Sequence, residues 1–468
     1  MGMIRTPLRF RKLDEQFVVT NEAGDFDLFD NDFPDRYANN ELNVDDEKKL
    51  EDLSVLFPED QLWRVAALRN RIKWAQERNG ISYLLLIPTL RCDLTCTYCQ
   101  VSRAPVDSTG YDWDEDTLQK VLRFIGELES SSIKVEFQGG EPTLRIDLIK
   151  RVIDFCEASF ESCEFVVCSN MTTISDDLRQ LLEKDNFSIS SSIDGDINTM
   201  TLNRTQDDQI SSAILNNIKH VQDKYGHEKI SALPTVTTSS ISAAKNLIDQ
   251  YVDLGFSGIF LRPVNYLGFA RKKHADSHDW NEGWEEFYEA CIKHIARINQ
   301  EIYFEEFSLS VIVKQIFLGS ESGFVDHRSP ARYASDYILI DYDGTLFPTD
   351  ESRMLSRVGQ IDLNIGNVTT GIDNKRVSDI NRNALHQDNP DCLHCTYMPY
   401  CGVDIIDDLS RYGRIDIAKE NTWFCKKQMF LMDLIFRSYA NKDRLYMDAF
   451  LKWAYQKSSP VGYGGIYD

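Results

Sequence analysis

Three cysteines, Cys92, Cys96 and Cys99, fall within the short stretch Arg91-Cys-Asp-Leu-Thr-Cys-Thr-Tyr-Cys-Gln100. Thiolates this close can hold three irons of one [4Fe–4S] cube. Ferredoxin sites supply a fourth cysteine, and none lies nearby in the chain. The fourth iron would keep an open coordination position, where a small molecule can bind and react. Two other readings fit three cysteines: buried structural thiols, or part of a zinc site. Zinc sites usually show paired Cys-x2-Cys or Cys/His knuckles, which counts against the second.

A second set lies far downstream. Cys392-Leu-His-Cys395-Thr-Tyr-Met-Pro-Tyr-Cys401 gives a Cys-x2-Cys-x5-Cys run, and Cys425 follows in Thr422-Trp-Phe-Cys425. Four thiolates complete a metal centre and leave no position for exchange. Zinc is a structural alternative here, with the knuckle and His394 in its favour.

The elements that must position these residues show in the periodicity. Residues 81–265 alternate strand and helix. The strand patterns are Ile81–Pro88, Ile133–Phe137, Phe165–Ser169, Phe187–Ile193, Ile230–Thr238 and Gly258–Pro263, with helical patterns between them. Repeated βα units imply a parallel sheet with right-handed crossovers. Six strands are too few for a complete eight-fold barrel, and a six-strand open (β/α) barrel fits. Such sheets place ligands at the carboxyl ends of their strands, where the first cysteine loop emerges. Other strand ends carry chemistry too. Phe137-Gln-Gly-Gly-Glu-Pro-Thr143 follows the second strand; its glycines let backbone approach a ligand, and Glu141 can accept from an ammonium. Ser169 and Asn170 end the third strand. Ser192 and Asp194 end the fourth, with Arg204 beyond, and Arg262 lies in the sixth. An ordinary turn at Asp194 and a surface ion pair at Arg204 would explain those two equally.

Outside this core, residues 6–30 read as a small β unit, and Asp45–Trp63 and Trp63–Arg78 as helices. Trp280–Gln300 is an amphipathic helix. Tyr337–Phe347 is a hairpin turning at Asp343-Gly344. Cys156, Cys163 and Cys291 read as core cysteines.

Bulk properties narrow the class. A chain of 468 residues exceeds one hydrophobic core. No apolar run approaches a membrane span and no secretory signal core is present, so a cytoplasmic location is expected. Eleven cysteines then argue for metal sites or reduced thiols. A net charge of −23 opposes nucleic-acid binding.

The Cys-x3-Cys-x2-Cys spacing, with Tyr98 before the last cysteine, resembles the signature of the radical S-adenosylmethionine (radical SAM) enzymes. Gly139-Gly140-Glu141-Pro142, one strand later, resembles that family's second motif. The resemblance implies a partial (β/α)6 barrel and a first [4Fe–4S] cluster on Cys92, Cys96 and Cys99 whose open iron is chelated by SAM. It also implies SAM contacts from Tyr98, Gly139, Gly140, Glu141, Pro142, Ser169, Asn170, Ser192, Asp194, Arg204 and Arg262. The family's usual His-Asp pair before the arginine is replaced here by Leu202-Asn203.

The downstream cysteines resemble the SPASM extension of peptide-modifying radical SAM enzymes. That implies an auxiliary [4Fe–4S] cluster on Cys392, Cys395, Cys401 and Cys425. A full SPASM domain carries a second auxiliary cluster. Its cysteines are missing near Ile405 and after the hairpin, where Pro348-Thr-Asp-Glu-Ser-Arg353 stands. One auxiliary cluster is therefore expected. Thr349, Asp350, Glu351 and Arg353 either face the barrel mouth, contacting substrate or moving protons, or form a salt-bridged turn.

Leu8-Arg-Phe10, Val19–Gly24, Phe260–Pro263 and Pro348–Glu351 together resemble the radical SAM maturases of the His-Xaa-Ser peptide system. That implies a ribosomally made precursor peptide, a second radical SAM maturase as partner and a reductant such as flavodoxin or ferredoxin. The expected organisation is a leader-recognition-like or capping element over 1–80, the radical SAM core over 81–270, a helical bridge over 271–330, a SPASM-like domain over 331–440 and a C-terminal helix and tail over 441–468. Two other readings are a maturase of a folded protein, sulfatase-type, and a non-catalytic metal-stabilised peptide-binding protein.

Overall fold

The computed structural model describes residues 2–75, 80–238, 243–319 and 327–455. Apolar, β-branched runs with little turn chemistry give the core strands: β1 (Tyr83–Thr89), β2 (Ser132–Gly139), β3 (Ser162–Cys168), β4 (Phe187–Ser192) and β5 (Ile230–Leu233). They lie side by side, all parallel, in the order β5-β4-β3-β2-β1. Each crossover carries a helix. Asp114 caps Glu115–Gly126, Ser175 caps Asp176–Leu182 and Asp207 caps Asp208–Tyr225, each side chain accepting from a first-turn amide. Leu84, Leu86, Val135, Phe137, Phe165, Val167 and Ile189 pack against these helices with Val121, Ile149 and Val152. Strand alternation then turns Glu136, Gln138, Cys168, Ser190 and Ser192 to the opposite face, where β1 instead contributes Leu85 and Ile87 to an apolar cluster with Leu339 and Phe347.

Three departures from the sequence reading have physical causes. The fifth strand breaks at Pro234, which has no N–H to give the ladder, and Thr235–Val236 continues separately. The sixth strand pattern is split: Arg262–Pro263 pairs in parallel with Thr235–Val236, and Gly258–Ile259 pairs with Glu305–Glu306. The helical reading of Asp45–Trp63 holds only for Val44–Asp52. Ser54 takes a left-handed conformation, and Leu56–Pro58 becomes a strand antiparallel to Met3–Arg5.

The hairpin forms as β6 (Tyr337–Ile340) and β7 (Thr345–Phe347), with Gly344 at φ 79° in its turn. It does not stand apart from the core. β6 adds in parallel to the free edge of β1, extending one sheet to nine strands.

The N-terminal strands Arg9–Leu13, Gln16–Thr20 and Phe26–Asp30 form an antiparallel sheet. With two short helices it buries its own core of Val19, Phe29, Phe33, Leu50 and Leu56. A helix covers Trp63–Ala75, and the end of the expected Trp63–Arg78 helix lies outside the described residues, as does the tail after 455. Among the described residues no helix is long and apolar enough to cross a membrane.

Candidate functional site

The first cysteine loop leaves the carboxyl end of β1 and is gripped from three sides. Gly140 N donates to Thr89 O (3.1 Å) and Glu141 N to Arg91 O (2.8 Å), locking the loop's base to the Gly-Gly-Glu-Pro turn. A Cβ on Gly140 would stand 2.2 Å from Arg91 O, so only glycine permits this approach. Outside, Asp112 accepts from Thr89 Oγ1 (2.6 Å), Arg91 Nε (2.8 Å) and Arg145 (3.1 Å). At the loop's middle Thr97 N donates to Asn203 O (2.8 Å). At its end Phe269 N donates to Cys99 O (2.9 Å) and Asn265 Nδ2 to Gln100 Oε1 (2.9 Å).

The expected SAM contacts fall into two groups around this loop. In the first, Glu141 is 2% exposed. Its Oε1 accepts from Ser169 Oγ (3.0 Å) and Thr143 Oγ1 (2.5 Å), and its Oε2 accepts from Asn170 N (2.7 Å). Burial raises its pKa despite these donors. Asn170 Nδ2 continues the network to Asp93 Oδ1 (2.6 Å), which lies inside the loop beside Cys92. In the second group, Tyr98 donates to Asp194 Oδ2 (2.6 Å) and accepts from Arg204 NH1 (2.5 Å). All three are buried, and Arg204 is close enough to act on the Cys96 thiol. Burial raises the Asp194 pKa, and Arg204 opposes that. Arg204 rides on a π-helical turn, Thr201–Thr205, which also supplies the Asn203 carbonyl that holds Thr97. Asp194 also accepts from Thr235 N (3.0 Å). Gly139 and Pro142 belong to the Gly-Gly-Glu-Pro turn, and Ser192 ends β4 on the interior face.

Arg262 pairs its strand with Thr235, the residue whose amide donates to Asp194. It lines a cavity of about 150 Å³ together with Phe260, Tyr333, Thr349, Glu351 and Asp404. Thr349 is engaged as a cap, its hydroxyl accepting from Ser352 N (3.0 Å). Asp350 is within electrostatic reach of the Cys168 thiol. Arg353 is turned into the protein, in an ion pair with Asp341 (2.8 Å) that is 1% and 0% exposed. Thus Glu351 faces the cavity, whereas Arg353 ties the following helix to the hairpin.

The second set gathers where the loop 392–401 meets the first turn of helix Trp423–Ala440. Cys392, Cys395 and Cys425 all act electrostatically on Cys401. The loop is gripped by the N-terminal sheet. Arg9 Nε donates to Leu393 O (3.0 Å), Thr20 Oγ1 to Thr396 O (2.7 Å) and Tyr400 Oη to Gly24 O (2.5 Å). Arg11 makes two 2.6 Å bonds to Asp433, which also accepts from Tyr397 Oη (2.5 Å).

Both sets are free, half-buried thiols, a donor set suited to iron–sulfur clusters, with the exposed His394 lying between Cys392 and Cys395 in the sequence. Burial pushes Cys92, Cys392 and Cys425 each up to about 12, so binding metal there releases protons. No three His, Cys, Asp or Glu among the described residues sit closely enough to hold a single metal ion.

Sequence reasoning missed Asp93, Asp112 and Phe269. Asp93, a polar residue inside the cysteine loop, was visible as a candidate; the other two gave no local signal.

Comparison with known proteins places this geometry. Residues 86–248 match the Radical SAM superfamily. An uncharacterized protein of Methanocaldococcus jannaschii is 29% identical over 119 residues, 25% of this chain, and the chain spans 40% of that relative's length. PqqA peptide cyclase of Bradyrhizobium diazoefficiens is 39% identical over 77 residues, 16% of this chain and 20% of its own. Among solved structures, native anSMEcpe with bound AdoMet and Kp18Cys peptide superposes with a TM-score of 0.59 at 16% identity, covering 78% of this chain and 99% of that one. The stretch that matches the Radical SAM superfamily, 86–248, thus holds most of the parallel strands, the first cysteine loop and the Glu141 and Arg204 groups beside it.

Proposed function

We propose that this chain is a radical SAM enzyme that modifies a ribosomally synthesised peptide, by hydrogen abstraction followed by oxidative cross-linking or a related modification. One observation carries the chemistry: three cysteines at the end of β1, with Glu141 on one side and Arg204 on the other. When bound there, the [4Fe–4S] cluster and SAM supply one electron and a 5′-deoxyadenosyl radical able to take hydrogen from an unactivated carbon.

The chain's own residues orient and insulate. Glu141 Oε2 accepts from Asn170 N, and a carboxylate oxygen has room for a further donor such as the SAM ammonium. Arg204, held by Tyr98, offers a guanidinium to the SAM carboxylate. Ser169 and Asn170 orient Glu141 and contribute polar groups toward the ribose. The polar side chains Gln138, Ser190 and Ser192 on the interior face can hydrogen-bond a peptide backbone, and Glu351 and Asp404, both lining the cavity, are placed to accept a proton from it. The cysteines 392, 395, 401 and 425 would hold one auxiliary [4Fe–4S] cluster, an electron acceptor for the oxidation.

The peptide reading is supported by the local similarity to PqqA peptide cyclase and by the peptide bound in the anSMEcpe structure. Within it we assign the His-Xaa-Ser system, with a second maturase as partner, flavodoxin or ferredoxin as reductant and the cytoplasm as the place of action. Anaerobic incubation of the reconstituted protein with SAM, dithionite and peptides carrying His-Xaa-Ser repeats tests this, read by mass spectrometry. 5′-Deoxyadenosine and a mass-shifted peptide are expected. Absence of 5′-deoxyadenosine would sink the enzyme reading, and an unaltered peptide beside abundant 5′-deoxyadenosine would sink the substrate.

A further inference from the structure

The N-terminal sheet has a place that neither its size nor its sequence announces. Arg9 and Arg11 sit on one strand, two residues apart, and so point to the same face. That face lies on the loop 392–401. Arg9 is 5% exposed, and its Nε is fixed on the carbonyl of Leu393, between Cys392 and Cys395. The Arg11 guanidinium lies 5.5 Å from the centre of the Tyr397 ring, between Cys395 and Cys401, and is held in two bonds by Asp433. Both guanidinium groups reach the Cys395 thiol electrostatically. Other charges nearby are Lys419, which pairs with Asp408 at 2.6 Å, Asp391, and Lys427. Arg9 has a loose partner, Glu22 at 3.8 Å, itself about one-third exposed.

We propose that the N-terminal sheet is the electrostatic wall of the second cysteine centre, and that Arg9 and Arg11 set the reduction potential of a cluster held there. This rests on the reading that Cys392, Cys395, Cys401 and Cys425 hold an iron–sulfur cluster. Reduction adds one negative charge to a centre already made anionic by four thiolates. Two fixed guanidinium groups in a low-dielectric wall favour that reduced form and raise the potential. The centre is thereby made a better electron acceptor. Asp433, holding Arg11, works in the opposite sense.

Arg9 and Arg11 are positioning residues, and the sign of the effect separates charge from mere packing. Removing a cation lowers the potential. Opening the wall to water instead stabilises the more highly charged reduced state and raises it. The experiment is an EPR-monitored redox titration of the full chain, reconstituted anaerobically. Arg9→Gln and Arg11→Gln should lower the midpoint of the second cluster, and Asp433→Asn should raise it. Arg9→Lys, keeping the charge, should stay near the parent value. The first cluster's midpoint is the internal control and should not move. Unchanged or raised midpoints in both Gln variants, or an Arg9→Lys shift equal to that of Arg9→Gln, would overturn the proposal. Should Arg9→Gln lose the second cluster altogether, Arg11→Gln and Asp433→Asn still decide the sign. Failure of the underlying reading looks different: about four irons per chain rather than about eight in the parent protein, with no loss on Cys392→Ala.

Discussion

The two cysteine loops are built to opposite plans. The first hangs from a strand end and is held almost wholly by neighbours in the same barrel: the Gly-Gly-Glu-Pro turn, the π-helical turn and the segment after the split sixth strand. The second is held by chain from the far end of the sequence, residues 9–24 and the helix 423–440. One side of the first faces buried polar groups, Glu141 and Arg204, that suit a charged small molecule. The second has four cysteines and is walled by backbone and aromatic contacts. The thiols of both sets are half-buried, so the contrast lies in what surrounds them: the three-cysteine set looks onto buried charged groups of its own barrel, and the four-cysteine set is held by the N-terminal sheet.

The largest effect should separate the loops outright. Cys92→Ala, Cys96→Ala or Cys99→Ala should abolish 5′-deoxyadenosine formation, whereas Cys392→Ala or Cys425→Ala should retain it while losing about four irons per chain. Equal loss in both groups would erase the distinction. Next, Gly140→Ala forces a Cβ into the Arg91 carbonyl and should cost about 3 kcal/mol of stability, seen by denaturant unfolding. An alanine at Gly413, where nothing lies within 4 Å but φ is +68°, should cost only about 1 kcal/mol.

A pH test addresses the barrel side alone. Glu306 is fully buried and accepts from Leu261 N (3.0 Å), Leu309 N (2.7 Å) and Tyr288 Oη, bracing the broken sixth strand. Burial raises its pKa from 4.5 to about 7. The folded state then binds more protons than the unfolded one between those values, so Glu306 makes stability fall as pH rises through that window and level off above it. Glu306→Gln should remove about 3 kcal/mol of the stability difference between pH 4.5 and 7.5, measured by unfolding at each. The smallest effect tests the second loop's outer grip. A double-mutant cycle on Arg11 and Asp433 should give a coupling of about 1 kcal/mol, because Arg11 remains 32% exposed. A coupling near zero would mean that the sheet rests on the loop without holding it.

What was legible in the sequence follows the same division. The placing of Cys92, Cys96 and Cys99 together at a strand end could be read because the three lie in one short loop directly after an apolar strand pattern. Glu141 could be read because the paired glycines announce close backbone approach. Asp112 and Phe269 could not, since their roles depend on which strand ends become neighbours. The break at Pro234 was written in the sequence, but an apolar run either side outweighed it. The helical spacing of Leu50, Leu53, Leu56 and Phe57 misled because Ser54 turns left-handed, which periodicity does not reveal. The N-terminal strands showed which side chains would be buried, and nothing local showed against what.

The grip of residues 9–24 on 393–400 also has a consequence in time. Bonds such as Arg9 to Leu393 and Thr20 to Thr396 join positions 384 and 376 residues apart. During synthesis the barrel and the first loop are complete long before the second loop exists. The N-terminal sheet, with a core of its own, must wait unpaired on its docking face until the partners 376 and 384 residues downstream arrive. Assembly is therefore ordered, the first centre gaining its surroundings early and the second becoming enclosed only as the final long-range step.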